Sequence, residues 1–121
     1  SNRNDLMVSY LIGISYHYLG EYSKSVKYLK LADKNGKDAD ILYYIGLSYA
    51  QLGDHKEAIK NYKKSIYLNS KEADTIYALG KSYIEINNKK DASRQLKYLL
   101  QLNIELFESL QIAFDAKFDN L

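Results

Sequence analysis

The chain has 121 residues, 46% hydrophobic and 26% charged, with Lys plus Arg at 17 against Asp plus Glu at 15 for a net charge of +2. That is enough apolar content for a folded core, and too even a charge balance to support generic binding to nucleic acid or an anionic membrane surface. With no cysteine, disulfide frameworks, thiol nucleophiles and zinc–thiolate sites are excluded, and no apolar run approaches the ~18 residues of a membrane span.

The opening SNRND lacks an initiator methionine, so the terminus reads as trimmed and the chain as a fragment of a longer protein. No targeting segment is in view, and the compartment stays open, with the cytoplasm as the default. The first helical pattern covers about residues 6–19 and stops at Gly20; a second covers about 22–34 and stops at Gly36. Helices at about 39–52 and 55–68 follow, separated by Gly53, and Asp54 is placed to cap the second of them. A third pair covers about 73–86 and 89–102, with Asn87 in the turn and Asn88 as the cap. Gly36, Asn69 and Asn103 stand where a helix exit in left-handed conformation is expected. No proline interrupts any of these segments.

The three pairs repeat one another. Gly13, Gly46 and Gly80 are offset by 33 and then 34 residues. Each is followed by a tyrosine (Tyr16, Tyr49, Tyr83), then by a turn residue (Gly20, Gly53, Asn87), then by a small one (Ser25, Ala58, Ala92). Glycine in mid-helix costs about 1 kcal/mol against alanine, so a glycine kept at one period implies a close approach of two helices. The tyrosines of that column are suited to filling the gap between pairs with each hydroxyl near a polar partner.

The pattern resembles the tetratricopeptide repeat, a helix–turn–helix unit of 34 residues. The middle repeat carries it as Leu42, Ile45, Gly46, Tyr49, Ala58, Tyr62 and Ser65, and the third as Ile76, Leu79, Gly80, Tyr83, Ala92, Leu96 and Leu99. The first is the weakest match, with Ser9, Ile12, Gly13, Tyr16, Ser25, Leu29 and Ala32. The resemblance implies an all-α, right-handed α-solenoid forming a single domain over 1–121. Its repeats would be about 6–38, 39–72 and 73–106, closed by a C-terminal capping helix over about 104–118. That tail carries Phe107, Leu110, Phe114 and Phe118 on one face, and Phe114 is too bulky for the glycine column of a fourth repeat. A docking helix for another domain and a helix swapped in a dimer are the alternatives.

In such proteins the first helix of each pair lines a concave groove. Carried over, the groove positions here are Met7, Tyr10, Ile14, His17 and Tyr18; Asp40, Tyr43, Leu47, Ala50 and Gln51; and Asp74, Tyr77, Lys81, Ile84 and Glu85. The expected peptide-binding residues are Tyr10, Ile14, Tyr18, Tyr43, Leu47, Tyr77 and Lys81. Tyr10, Tyr43 and Tyr77 occupy one position in successive repeats and should form an aromatic ladder. Their plainer role would be to cover neighbouring helix surface. The positions that clamp the C-terminal carboxylates of Hsp70 and Hsp90 in related domains hold Tyr10, Ile14, Tyr44, Asp74 and Ala78, which supply no cation, so that partner is not expected. No nucleophile elbow, phosphate loop or metal-ligand spacing is present, so no enzyme activity, cofactor or metal is expected. Lys56, Lys60, Lys63 and Lys64 read as a solvated outer face. The function expected is recognition of a protein or peptide segment in the tyrosine-lined groove, by apolar burial and so with weak salt dependence. The alternative is a structural scaffold, self-associating through the C-terminal helix, or a spacer within a longer array.

Overall fold

The computed structural model describes residues 3–119. It contains α1 (Arg3–Tyr18), α2 (Tyr22–Ala32), α3 (Ala39–Gln51), α4 (His55–Leu68), α5 (Ala73–Glu85), α6 (Lys89–Leu102) and α7 (Ile104–Phe118), and no strand among the described residues. Each odd helix packs on the even helix that follows it, each even helix packs on the next odd one, and α7 covers both α5 and α6. This is an all-α solenoid of three helix pairs closed by a cap.

The turns behave largely as their residues dictate. Gly20 and Gly53 adopt φ +82°, and Asn87, in the same place in the third pair, adopts φ 63°. Asparagine tolerates this region better than other side chains do. Asp54 Oδ1 accepts from the Glu57 N–H at 3.2 Å and Asn88 Oδ1 from the Asp91 N–H at 3.1 Å, so both cap as expected. The expected left-handed exits are not found at the helix ends: α2 already stops at Ala32, four residues before Gly36, with Asp33 at φ −136°. Gly36 has φ 64°, but Asn69 (φ −146°) and Asn103 (φ −160°) are extended. Asn103 is the sole residue between α6 and α7, and its side chain accepts from the Leu106 N–H at 3.0 Å, so its work is to start the next helix. Asp38 caps α3, accepting from the Asp40 and Ile41 N–H groups. Asp40 and Asp74 stand in the first turns of their helices, where the helix dipole favours a carboxylate.

The glycine column acts at Gly46. A Cβ there would run into the ring of Tyr62, which is 1% exposed. At Gly80 the obstacle is instead Leu110, at 2.6 Å from a built Cβ, so the cap helix uses the gap that glycine leaves. Ala58 and Ala92 are fully buried opposite. One core cluster is built on Val26, Leu29, Ala32, Ile41 and Ile45, and a larger one runs from Ala58 to Phe114. Tyr49 packs against both, so this tyrosine joins the first repeat to the rest of the array. Its hydroxyl accepts from Lys30 Nζ at 3.0 Å, the polar partner that a tyrosine in this place needs.

A hydroxyl chain crosses the first junction. Ser25 Oγ donates to the Gly13 carbonyl at 2.8 Å, and Ser48 Oγ donates to Ser25 Oγ at 3.1 Å. Ser48 then has only lone pairs for His17 Nδ1 at 2.8 Å, so neutral His17 carries its proton on Nδ1. Burial lowers the His17 pKa. Protonation therefore favours the unfolded chain: this contribution to stability is complete above the ordinary histidine value of 6.5, and is lost as pH falls from there towards the lowered folded value. Thermal melts should show a drop in stability over that window that His17→Gln flattens. Parallel curves for the two proteins would contradict the assignment.

Candidate functional site

Along the array α1 touches α3 and α3 touches α5, whereas α2, α4 and α6 do not reach one another. The first helices are therefore crowded together on the inside of the curve, and the second helices fan out on the outside. Lys56, Lys60, Lys63 and Lys64 are all exposed on α4, on that outer side.

On the inside, Tyr43 and Leu47 of α3 and Tyr77 and Lys81 of α5 line one hollow of about 560 Å³. Ala50, Gln51, Asp74 and Glu85 share its walls, and Leu106 of the cap and His55 of α4 complete it. Lys81 Nζ lies 5.5 Å from the centre of the Tyr77 ring, within cation–π range. Tyr43 rests on the buried Tyr62, ring centres 6.4 Å apart. An adjoining hollow of about 270 Å³ is lined by Tyr10, Asp40, Tyr43, Tyr44, Glu72, Asp74 and Thr75. Tyr43 thus belongs to both hollows, Tyr10 to one and Tyr77 to the other.

The other expected positions vary. Tyr18 is 72% exposed, with its hydroxyl 3.5 Å from that of Tyr44. Ile14 is partly buried against the first core cluster, with its surface turned largely to packing. Ile84, expected at the groove, is buried at 5% exposure within the core cluster that also holds Leu110 and Phe114 of α7. Tyr44 was missing from the expected groove set, although it is the hub of the inner aromatic cluster. It meets His17, Tyr18 and Tyr43 edge-on at 5.9, 6.4 and 5.3 Å.

The phenols feel the carboxylates around them. Burial raises the Tyr10 pKa, with Asp40 and Asp38 adding to the effect, and burial raises that of Tyr43, aided by Asp74 and Glu72. Tyr44 is raised first by its bond to Tyr18 and then by burial. All three are neutral phenols at physiological pH, able to donate or accept one hydrogen bond and to offer a ring face.

A larger hollow, about 620 Å³, lies on the outer side between α4, α5 and α6, where Tyr67, Tyr98, Lys63 and the ion-paired Arg94 and Asp91 surround the edge of the core. Among the described residues no helix is long and apolar enough to cross a membrane, and no three His, Cys, Asp or Glu side chains are grouped to hold a metal ion.

Family models described as "Tetratricopeptide repeat" match residues 8–34 and 39–72, between them half of the chain, and the three packed pairs continue the same unit. The chain belongs to the tetratricopeptide repeat (TPR) family. No curated protein matches it at a significant level. Among solved structures it is similar to the Arabidopsis OM64 TPR domain, with TM-score 0.87 and 16% identity over 96% of this chain and 98% of that one. It is also similar to the first TPR of Spaghetti (RPAP3) bound to HSP90 peptide SRMEEVD, with TM-score 0.83 and 16% identity over 95% and 94% of the two chains. A third is the Yersinia enterocolitica type III secretion chaperone SycD in complex with a peptide of the translocator YopD, with TM-score 0.85 and 16% identity over 96% and 93%. At these identities the likeness is one of TPR fold.

Proposed function

We propose that this TPR domain is a non-enzymatic interaction module that takes a protein or peptide segment along the inner face of its first helices. One observation carries the reading: Tyr43 and Leu47 from one repeat and Tyr77 and Lys81 from the next line a single hollow, and Tyr10 extends the aromatic surface beyond it. Such a surface offers rigid amphipathic area at small entropic cost. That RPAP3 and SycD were solved with bound peptides supports a peptide-sized occupant. The likeness to RPAP3 does not extend the HSP90 peptide to this chain. Ala78, at one clamp position, is buried, and Asp74, at another, would repel a terminal carboxylate.

A second reading, a spacer within a longer array, is favoured by α1. Val8, Leu11, Ile12 and Tyr16 occupy the positions by which Ile41, Tyr44, Ile45 and Tyr49 of α3 meet α2, yet Val8 and Leu11 are exposed. Self-association through the C-terminal helix gains less support, because Leu110 and Phe114 are buried within the chain itself.

Affinity capture with the Tyr10/Tyr43/Tyr77→Ala variant should lose the partner, while a Tyr67/Tyr98→Ala variant of the outer hollow retains it. Truncating partly exposed rings that anchor a ligand is expected to cost about 2 kcal/mol each, some thirtyfold in affinity. Equal capture by both, with folding verified by circular dichroism, would reject the inner-face reading. Loss only with the outer pair would relocate the site.

A further inference from the structure

We infer that the occupant of this groove is a cationic segment, one of whose lysine or arginine side chains seats in the hollow between Tyr10, Tyr43 and Tyr44. The inference rests on the inner-face reading and names the chemistry that this face selects.

The hollow of about 270 Å³ combines three tyrosines with the carboxylates of Asp40, Glu72 and Asp74. Asp40 and Asp74 are exposed and make no ion pair among the described residues, and Lys81, on the neighbouring inner wall, is turned onto Tyr77. Most of the other lysines lie on the second helices, although Lys37 and Lys71 stand in the loops that lead into α3 and α5, and Arg3 shares a neighbouring hollow with Tyr10 and Asp40. An ammonium or guanidinium is attracted both by the ring faces and by the carboxylates. An acidic or phosphorylated segment would be repelled by the same groups.

Thr75 supplies an independent indication. It lines this hollow, it is fully buried, and its hydroxyl has no hydrogen-bond partner among the described residues. The same column holds the buried Ile41 in the middle repeat, so packing there is met by a branched apolar side chain. A buried hydroxyl without a protein partner is unfavourable unless water or a ligand completes it, and ammonium and guanidinium groups are both hydrogen-bond donors. Binding should then weaken as salt rises, unlike the purely apolar docking expected from the sequence.

The test uses the ¹⁵N-labelled domain titrated with three blocked octapeptides, alternating Leu-Lys, Leu-Gln or Leu-Glu. The Leu-Lys peptide should shift the amides of Asp40, Tyr43, Tyr44 and Thr75. Asp40→Asn/Asp74→Asn should weaken it roughly tenfold, the scale of one lost charge-assisted contact. Thr75→Val, which keeps the shape of the side chain, should also weaken it, whereas Glu108→Gln on the exposed side of α7 should not. Equal binding of Leu-Gln at the same residues would overturn the cation and leave the groove standing. Preference for Leu-Glu, or indifference to the Asp40 and Asp74 changes, would likewise overturn it. Absence of any shift on the first helices with all three peptides would overturn both.

Discussion

Leu110→Asp is expected to abolish cooperative folding of the C-terminal half of the array, whereas Ile112→Asp, two residues away on the same helix, should leave stability nearly unchanged. Leu110 is fully buried, with its methyl groups in the space that Gly80 leaves open. Removing that contact costs about 2–5 kcal/mol, and an unpaired carboxylate there adds several kcal/mol of desolvation. The sum rivals the ~5–15 kcal/mol by which a whole domain is stable. Ile112 is 71% exposed, and a surface change of this kind stays within about 0.5 kcal/mol. Urea unfolding followed by circular dichroism separates the two. Similar midpoints for both variants would mean that α7 is not a structural cap.

The second large effect lies at Tyr62. Its ring is buried against Gly46 and beneath Tyr43, so Tyr62→Ala should cost about 3–5 kcal/mol. Gly46→Ala alone should also destabilise, because overpacking of ~1–3 kcal/mol against a fully buried ring outweighs the ~1 kcal/mol gained in helix propensity. In the Tyr62→Ala background the added methyl enters an empty space, and Gly46→Ala should become stabilising by about 1 kcal/mol. A double-mutant cycle reads this change of sign directly. Simple additivity would mean that the glycine column serves no close approach between α3 and α4.

Much of this architecture was legible because identical columns recur at one period. A glycine retained mid-helix, a tyrosine three residues on and a turn residue after it report the packing of helix on helix without any need for tertiary information. The caps Asp54 and Asn88 were legible for the same local reason. Asn103 was misread because one residue serves two helices, and starting α7 took precedence over ending α6 in a left-handed turn. Ile84 was carried to the groove by analogy with Ala50 and His17. Ile84 is buried where Ala50 and His17 are only partly so, a difference of tertiary packing that one column of sequence does not carry.

The ladder was legible as a column, but its surroundings were not. Tyr44 follows Tyr43 directly, so helical periodicity turns it towards α1, where it meets His17 and Tyr18. The juxtaposition of Asp40, Glu72, Asp74 and Thr75 around Tyr43 brings two repeats together and leaves no mark in either alone.

The central claim is that a partner docks on the first-helix side. Photo-crosslinking measures it most directly, with benzoylphenylalanine replacing in turn Tyr43, Tyr77, Tyr67 and Tyr98 in the full protein in its native cells. Adducts from 43 and 77, with none from 67 and 98, are the predicted result. Adducts from 67 and 98, with none from 43 and 77, would contradict it.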